Sequence, residues 1–204
     1  MNPQVGVIER WAFLAGVTGV VASLLLIALY ALVFGAGISE YEWTGPANDV
    51  TGAVSMGATI PVAFALRDLT GGGPPVRVTT WLAAAGMAVI VLLSVLLVAR
   101  VIPFEVQAAG AIPSIVVVMV WLAVLGWAAS RNGSLPYGLA RAAVLIGVTA
   151  VAGLVVVGAS LLLPTRSVAQ YVVGGVGVLL GGPAYLAFPV WLIVLSFRIG
   201  SPTT

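Results

Sequence analysis

The few groups able to do chemistry gather in one stretch: Asn48-Asp49-Val50-Thr51-Gly52-Ala53-Val54-Ser55-Met56-Gly57-Ala58-Thr59-Ile60-Pro61. Thr51, Ser55 and Thr59 recur at every fourth residue, so on a helix their hydroxyls form one polar stripe. Asp49 heads that stripe. A charge at the centre of a bilayer costs roughly 2.5–3.5 kcal/mol on insertion scales, which makes an intramembrane acid a functional candidate. In the functional reading, Asp49 binds a cation or proton at the mouth of a cavity, and the stripe is a hydrated path toward Pro61, whose ring frees a carbonyl. In the structural reading, Asp49 follows Pro46 in the first turn of the helix and caps it. The hydroxyls then bond across helices or back to their own backbone. Gly52 and Gly57 suit close packing, and the sequence favours packing on that ground.

A second candidate region is Gly174-Gly175-Val176-Gly177 with Gly181-Gly182-Pro183 and Pro189. Gly177 and Gly181 make a GxxxG pair that admits a close neighbouring helix. Broken helices also build transporter sites, where unwound carbonyls face a cavity. Tyr185 lies within this stretch, and its hydroxyl needs a partner if buried. A third group, Glu40, Glu42, Arg100, Glu105 and Arg166, falls between apolar segments on one predicted face, together with Gln107 and Gln170. Acid–arginine pairing among them is one expectation, worth about 0–1 kcal/mol per exposed pair. An outward binding patch is the other. The segment Arg100–Gln107 is expected to lie flat at the membrane surface.

What is missing excludes more. The chain has no Cys and no His, and its basic residues are all arginines. Schiff-base chemistry therefore has no lysine. The usual zinc, haem and iron–sulfur ligands are absent, as are Ser–His and Cys–His nucleophile pairs. Glu40 with Glu42, or Asp49 with Glu105, could form an acid–base pair, but no nucleophile elbow, phosphate loop or metal-ligand cluster accompanies them. The sequence points away from an enzyme and calls for no cofactor. A net charge of +2 without a basic run gives no basis for a nucleic-acid partner.

These residues need elements to position them. With 61% hydrophobic and only 7% charged residues, the chain cannot cover itself with a soluble surface. A bilayer core about 30 Å thick takes roughly 20 apolar residues as a helix. Six segments qualify: near 11–34, 48–66, 78–99, 112–129, 139–163 and 171–197. Gly71-Gly72-Gly73-Pro74-Pro75, Pro103, Asn132-Gly133-Ser134-Leu135-Pro136 and Pro164 punctuate them. The first segment is too long for a secretory signal and reads as a retained helix. With the N-terminus inside, Arg10, Arg67, Arg77, Arg131, Arg141 and Arg198 are cytoplasmic and only Arg100 and Arg166 are outside, as the positive-inside rule prefers. Trp11, Trp81, Trp127 and Tyr137 then belong to the inner aromatic belt, and Tyr30, Tyr41, Trp43 and Tyr171 to the outer one.

The segments also echo one another. Arg10 precedes Gly16-Val17-Thr18 by the same six residues that separate Arg141 from Gly147-Val148-Thr149, and Gly86-Met87-Ala88 lies at a similar depth. Pro61-Val62, Met119-Val120-Trp121-Leu122 and Pro189-Val190-Trp191-Leu192 match in the even segments. These matches suggest three sequential helical hairpins about an axis along the membrane normal. Chance similarity among Ala/Val/Gly/Leu-rich helices produces such matches too.

The sequence thus predicts an all-α integral membrane protein of six transmembrane helices, with both termini cytoplasmic, in the plasma membrane of a bacterium or archaeon. Its expected role is that of a non-catalytic accessory, assembly or sensory subunit acting through helix–helix contacts. Its partners would be lipid and, through Gly-rich faces, a second copy or another membrane protein. A small-solute or ion transporter, proton-coupled in one version, is the competing expectation, with a site at the outer half of the second helix.

Overall fold

The structure, a computed structural model, describes residues 3–200. Those residues hold no strand, and six of their helices are long and apolar enough to cross a membrane. Helix α1 (Pro3–Ala28) runs on into a π-helical segment, Leu29–Gly35, that the sequence did not signal. It is followed by α2 (Thr44–Leu69), α3 (Pro74–Val98), α4 (Phe104–Asn132), α5 (Tyr137–Ser160) and α6 (Val168–Arg198).

Local chemistry sets the ends. Pro74 and Pro75 open α3, where their missing N–H groups would be unsatisfied in any case. Gly133 closes α4 in the left-handed conformation, φ 67°. At the start of α6 the Ser167 hydroxyl accepts from the Gln170 N–H at 3.1 Å, and the Gln170 Oε1 accepts from the Arg166 N–H at 2.7 Å, a near relative of the capping box.

Three expectations are corrected. Helix α2 begins at Thr44, with Pro46 inside its first turn, where a proline removes only an orphan N–H. Asp49 therefore lies past the first turn, which carries no acid, and it does not cap the helix. Helix α6 is not broken: it stays α-helical through Gly181, Gly182, Pro183 and Pro189. In an apolar setting the backbone holds its internal hydrogen bonds, and neighbouring helices accommodate the groups that a proline frees. Finally, Phe104–Gln107 form the first turn of α4, so the segment after Arg100 does not lie flat.

Each helix packs on its neighbour in sequence, and α6 closes on α1, giving a ring of six. Gly200 lies beside Glu9 and Val5, so the beginning of α1 and the end of α6 share one end of the ring. This is the terminal end; the opposite one is the distal end.

The two halves are built differently. The terminal half is filled by Val62 and Leu66 of α2, Met87 of α3, Trp121 and Leu122 of α4, and Phe188 and Leu192 of α6, all essentially buried. Lipid tails are as apolar as leucine, so burial alone gives helices in a bilayer little reason to associate; close packing and interhelical hydrogen bonds must supply it. Both are present. The Trp121 indole N–H donates to the Thr80 hydroxyl at 3.2 Å, and the Trp191 indole N–H donates to the Leu139 carbonyl at 3.0 Å.

Glycines bring the backbones together. A Cβ on Gly16 would stand 2.7 Å from the Pro189 carbonyl oxygen and 2.9 Å from the Ile193 nitrogen. A Cβ on Gly147 would stand 2.5 Å from the Met119 carbonyl oxygen and 2.8 Å from the Ala123 nitrogen. The α1–α6 and α5–α4 seams thus share one contact geometry, on the residues that the sequence matches pair. Gly86 departs from it: a Cβ there would stand 3.2 Å from the Ser114 carbonyl oxygen of α4, the following helix.

Candidate functional site

The polar stripe of α2 runs into the packed half. Thr51 donates to the Ala47 carbonyl at 2.8 Å, and Thr59 to the Ser55 carbonyl at 2.8 Å. Ser55 donates across the seam to the Ala15 carbonyl of α1 at 2.8 Å. Ser55 and Thr59 are both buried. Every hydroxyl of the stripe donates to a backbone carbonyl, as the packing reading expects.

Asn48 and Asp49 stand apart from it. They reach a cavity of about 690 Å³ at the distal half of the ring. The end of α1 and its π-helical continuation contribute Leu29, Tyr30 and Phe34; α3 contributes Leu97 and Val98; α4 contributes Phe104, Gln107 and Ile115. Asp49 and Arg100 are the only charged residues that line it. Ligand pockets commonly occupy roughly 300–1,000 Å³, with apolar walls and a few polar groups that fix orientation, and this cavity fits that description.

The polar groups on the cavity are uncommitted. Among the described residues the one ion pair joins Arg67 to Asp68 at 2.6 Å, at the terminal end. Asp49 and Arg100 therefore share a wall without pairing. Asn48 and Gln107 have no side-chain hydrogen bond to another described residue. The contrast is with Asn132, whose amide donates to the Thr70 carbonyl at 2.7 Å at the terminal end.

Arg100 is also held in an uncommon backbone state. Its φ is 58°, in the left-handed region. The Val101 N–H bonds to the Leu96 carbonyl and the Arg100 N–H to the Leu97 carbonyl, both at 2.9 Å, which is the Schellman closure of a helix. Glycine is the usual residue at that position. An arginine there bears a cost of order 1–3 kcal/mol, and Arg166, which does not line the cavity, adopts the same left-handed state at φ 61°.

A separate groove of about 490 Å³ lies between α2 and α3. It shares Asp49 and Val98 with the cavity, and Val54, Val91 and Val95 make its walls apolar. The Ser94 side chain opens onto it.

Tyr185 does not line the main cavity: it shares a gap of about 20 Å³ with Ser55 between α1, α2 and α6, and it borders a pocket of about 200 Å³ between α5 and α6 that meets the main cavity only at Ile115. The GxxxG pair is used within the chain: Gly177 and Gly181 pack against Gly153 of α5. In the outer-face group, Glu40, Glu42, Glu105 and Arg166 form no ion pairs with one another or with Arg100, contrary to the pairing expectation. Among the described residues no three acids come together as a metal site would require.

The sequence grouped Asn48 and Asp49 with the hydroxyl stripe and Tyr185, and placed Arg100 and Gln107 in a separate outer-face group; in the structure Asn48, Asp49, Arg100 and Gln107 line one cavity. Tyr30, Phe34, Phe104 and Ile115 carried no signal beyond being apolar or aromatic. Compared with protein-family models, curated proteins and solved structures, the chain matches none.

Proposed function

We propose that this chain is a non-catalytic multi-pass membrane protein that binds an amphiphilic molecule in the distal cavity. The ring spans the bilayer with both termini on the cytoplasmic side of a plasma membrane, and the cavity faces outward. The observation carrying this reading is the asymmetry of the ring. The terminal half is plugged by Trp121, Phe188 and Met87, while the distal half holds about 690 Å³ of apolar-walled space rimmed by uncommitted Asn48, Asp49, Arg100 and Gln107. A packing subunit that acts only through helix faces has no use for such a space. The sensory or accessory role expected from the sequence is kept, with a bound amphiphile as its signal.

One observation favours a second reading. A site open at one end and plugged at the other is also one half of an alternating-access cycle, and the shared geometry of the Gly16 and Gly147 seams supplies related elements that could rock. Uptake of a labelled amphiphile into sealed vesicles separates a carrier from a binding protein.

The binding reading is tested by native mass spectrometry of the detergent-purified chain incubated with a monoacylglycerol, a neutral single-chain amphiphile. The native chain should retain one molecule after release from the micelle. Ala108→Trp, which fills the cavity from α4, should not. Equal retention by both proteins contradicts the reading.

A further inference from the structure

We infer that the ligand of this cavity is a zwitterionic amphiphile of the outer leaflet, with its cationic group at Asp49, its anionic group at Arg100 and its acyl chain in the α2–α3 groove. The inference rests on the binding reading above and adds the charge pattern and the route.

The charge pattern comes from two residues that do not meet. Asp49 is half-buried on α2, and Arg100 is exposed at the C-terminal end of α3. They line one cavity, no other charged residue lines it, and no ion pair joins them. Half-buried beside apolar walls, Asp49 would be stabilised by an opposite charge with hydrogen bonds, and among the described residues neither it nor Arg100 has an ion-pair partner. A cationic ligand would satisfy Asp49 and leave Arg100 unmatched; an anionic one would do the reverse. A ligand carrying an ammonium and a phosphate meets both. The guanidinium fork suits phosphate oxygens, which it can bind in bidentate fashion.

The route comes from the seam. The groove between α2 and α3 shares Asp49 and Val98 with the cavity, and apart from Asp49 and Ser94 its walls are valines and alanines. An acyl chain can enter sideways from the bilayer through this seam without being drawn into water, while the charged headgroup stays at the interface with Asn48 and Gln107.

The test compares four single-chain probes in native mass spectrometry: a lysophosphatidylethanolamine, a lysophosphatidylglycerol, an alkylamine and a monoacylglycerol. The native chain should retain the zwitterionic probe over each of the others by about tenfold, the scale of one charge-assisted hydrogen bond. Asp49→Asn should shift the preference to the anionic probe, and Arg100→Gln to the alkylamine. Such opposite shifts cannot come from misfolding, which would lower all retention together. A bulky Ala53→Phe in the groove should reduce all four. If the native chain holds the monoacylglycerol as well as the zwitterion, the charge inference is overturned and the binding reading stands. If none of the four is held, both fall. If Asp49→Asn leaves the preference unchanged, Asp49 has no part in recognition and the inference is wrong.

Discussion

Ser55 of α2 donates its hydroxyl to the Ala15 carbonyl of α1 at 2.8 Å, and Gly19 one turn on leaves room for the Ser55 side chain. A polar residue that looks like the middle of a permeation path is thus a fastening between two helices. Interhelical hydrogen bonds of this kind average about 0.6 kcal/mol and reach about 1.7. Ser55→Ala should therefore lower stability by roughly that amount in detergent unfolding and leave amphiphile retention intact. A loss of retention with stability unchanged would return Ser55 to the site.

The seam glycines should be far less tolerant. Overpacking costs typically 1–3 kcal/mol, and a side chain on Gly16 or Gly147 meets backbone atoms, which cannot swing away. Gly16→Val and Gly147→Val should both lower the melting temperature sharply and to a similar degree. Gly52 and Gly158 meet nothing within 4 Å. Gly52→Ala and Gly158→Ala should be neutral or slightly stabilising, since alanine is the better helix former. Thermal unfolding of the four variants decides it, and equal damage from all four would show that the seams do not govern stability.

Much of the architecture was legible because it rests on composition and period. Sparse charge and apolar runs about 20 residues long mark the six helices that are long and apolar enough to cross a membrane. The Gly16–Gly147 and Pro189–Met119 correspondences were readable as spacing, and the structure places them in equivalent contacts. What failed was local. Pro46 and the polar residues around it look like a helix boundary, yet a proline in the first turn is harmless, so α2 starts before it. The prolines and glycines of α6 look like a break, yet in an apolar setting the backbone stays helical. The cavity itself was invisible, because it arises from how four elements splay at the distal end. Ile115 could as easily have faced outward, and Tyr30 and Phe34 remain largely exposed even while lining the cavity.

Arg100 sets stability against binding. Arg100→Gly should relax the left-handed strain and raise stability by about 1 kcal/mol or somewhat more. The same variant should lose the preference for the zwitterionic probe. Thermal unfolding and retention, measured on one preparation, give both numbers. A variant that is less stable than the native chain would mean that the arginine side chain holds the α3–α4 turn together.

Trp121 and Thr80 offer a check on the plugged half. Their bond is 3.2 Å long and buried. A double-mutant cycle with Trp121→Phe and Thr80→Val should give a coupling of roughly 0.5–1.7 kcal/mol. Zero coupling would mean that shape alone, and not the indole donor, seats Trp121 against α3.

The central claim is that the distal half is an accessible cavity over a sealed terminal half. The chain has no cysteine of its own, so single cysteines report cleanly. Asp49→Cys, Gln107→Cys and Thr59→Cys would be made one at a time and treated, in intact cells, with a membrane-impermeant maleimide; Trp43→Cys marks the distal loop. The account predicts that Trp43→Cys, Asp49→Cys and Gln107→Cys react and that Thr59→Cys does not, with Ala108→Trp slowing the reaction at residue 49. Labelling of Thr59→Cys from outside, or protection of both Asp49→Cys and Gln107→Cys while Trp43→Cys reacts, would contradict it.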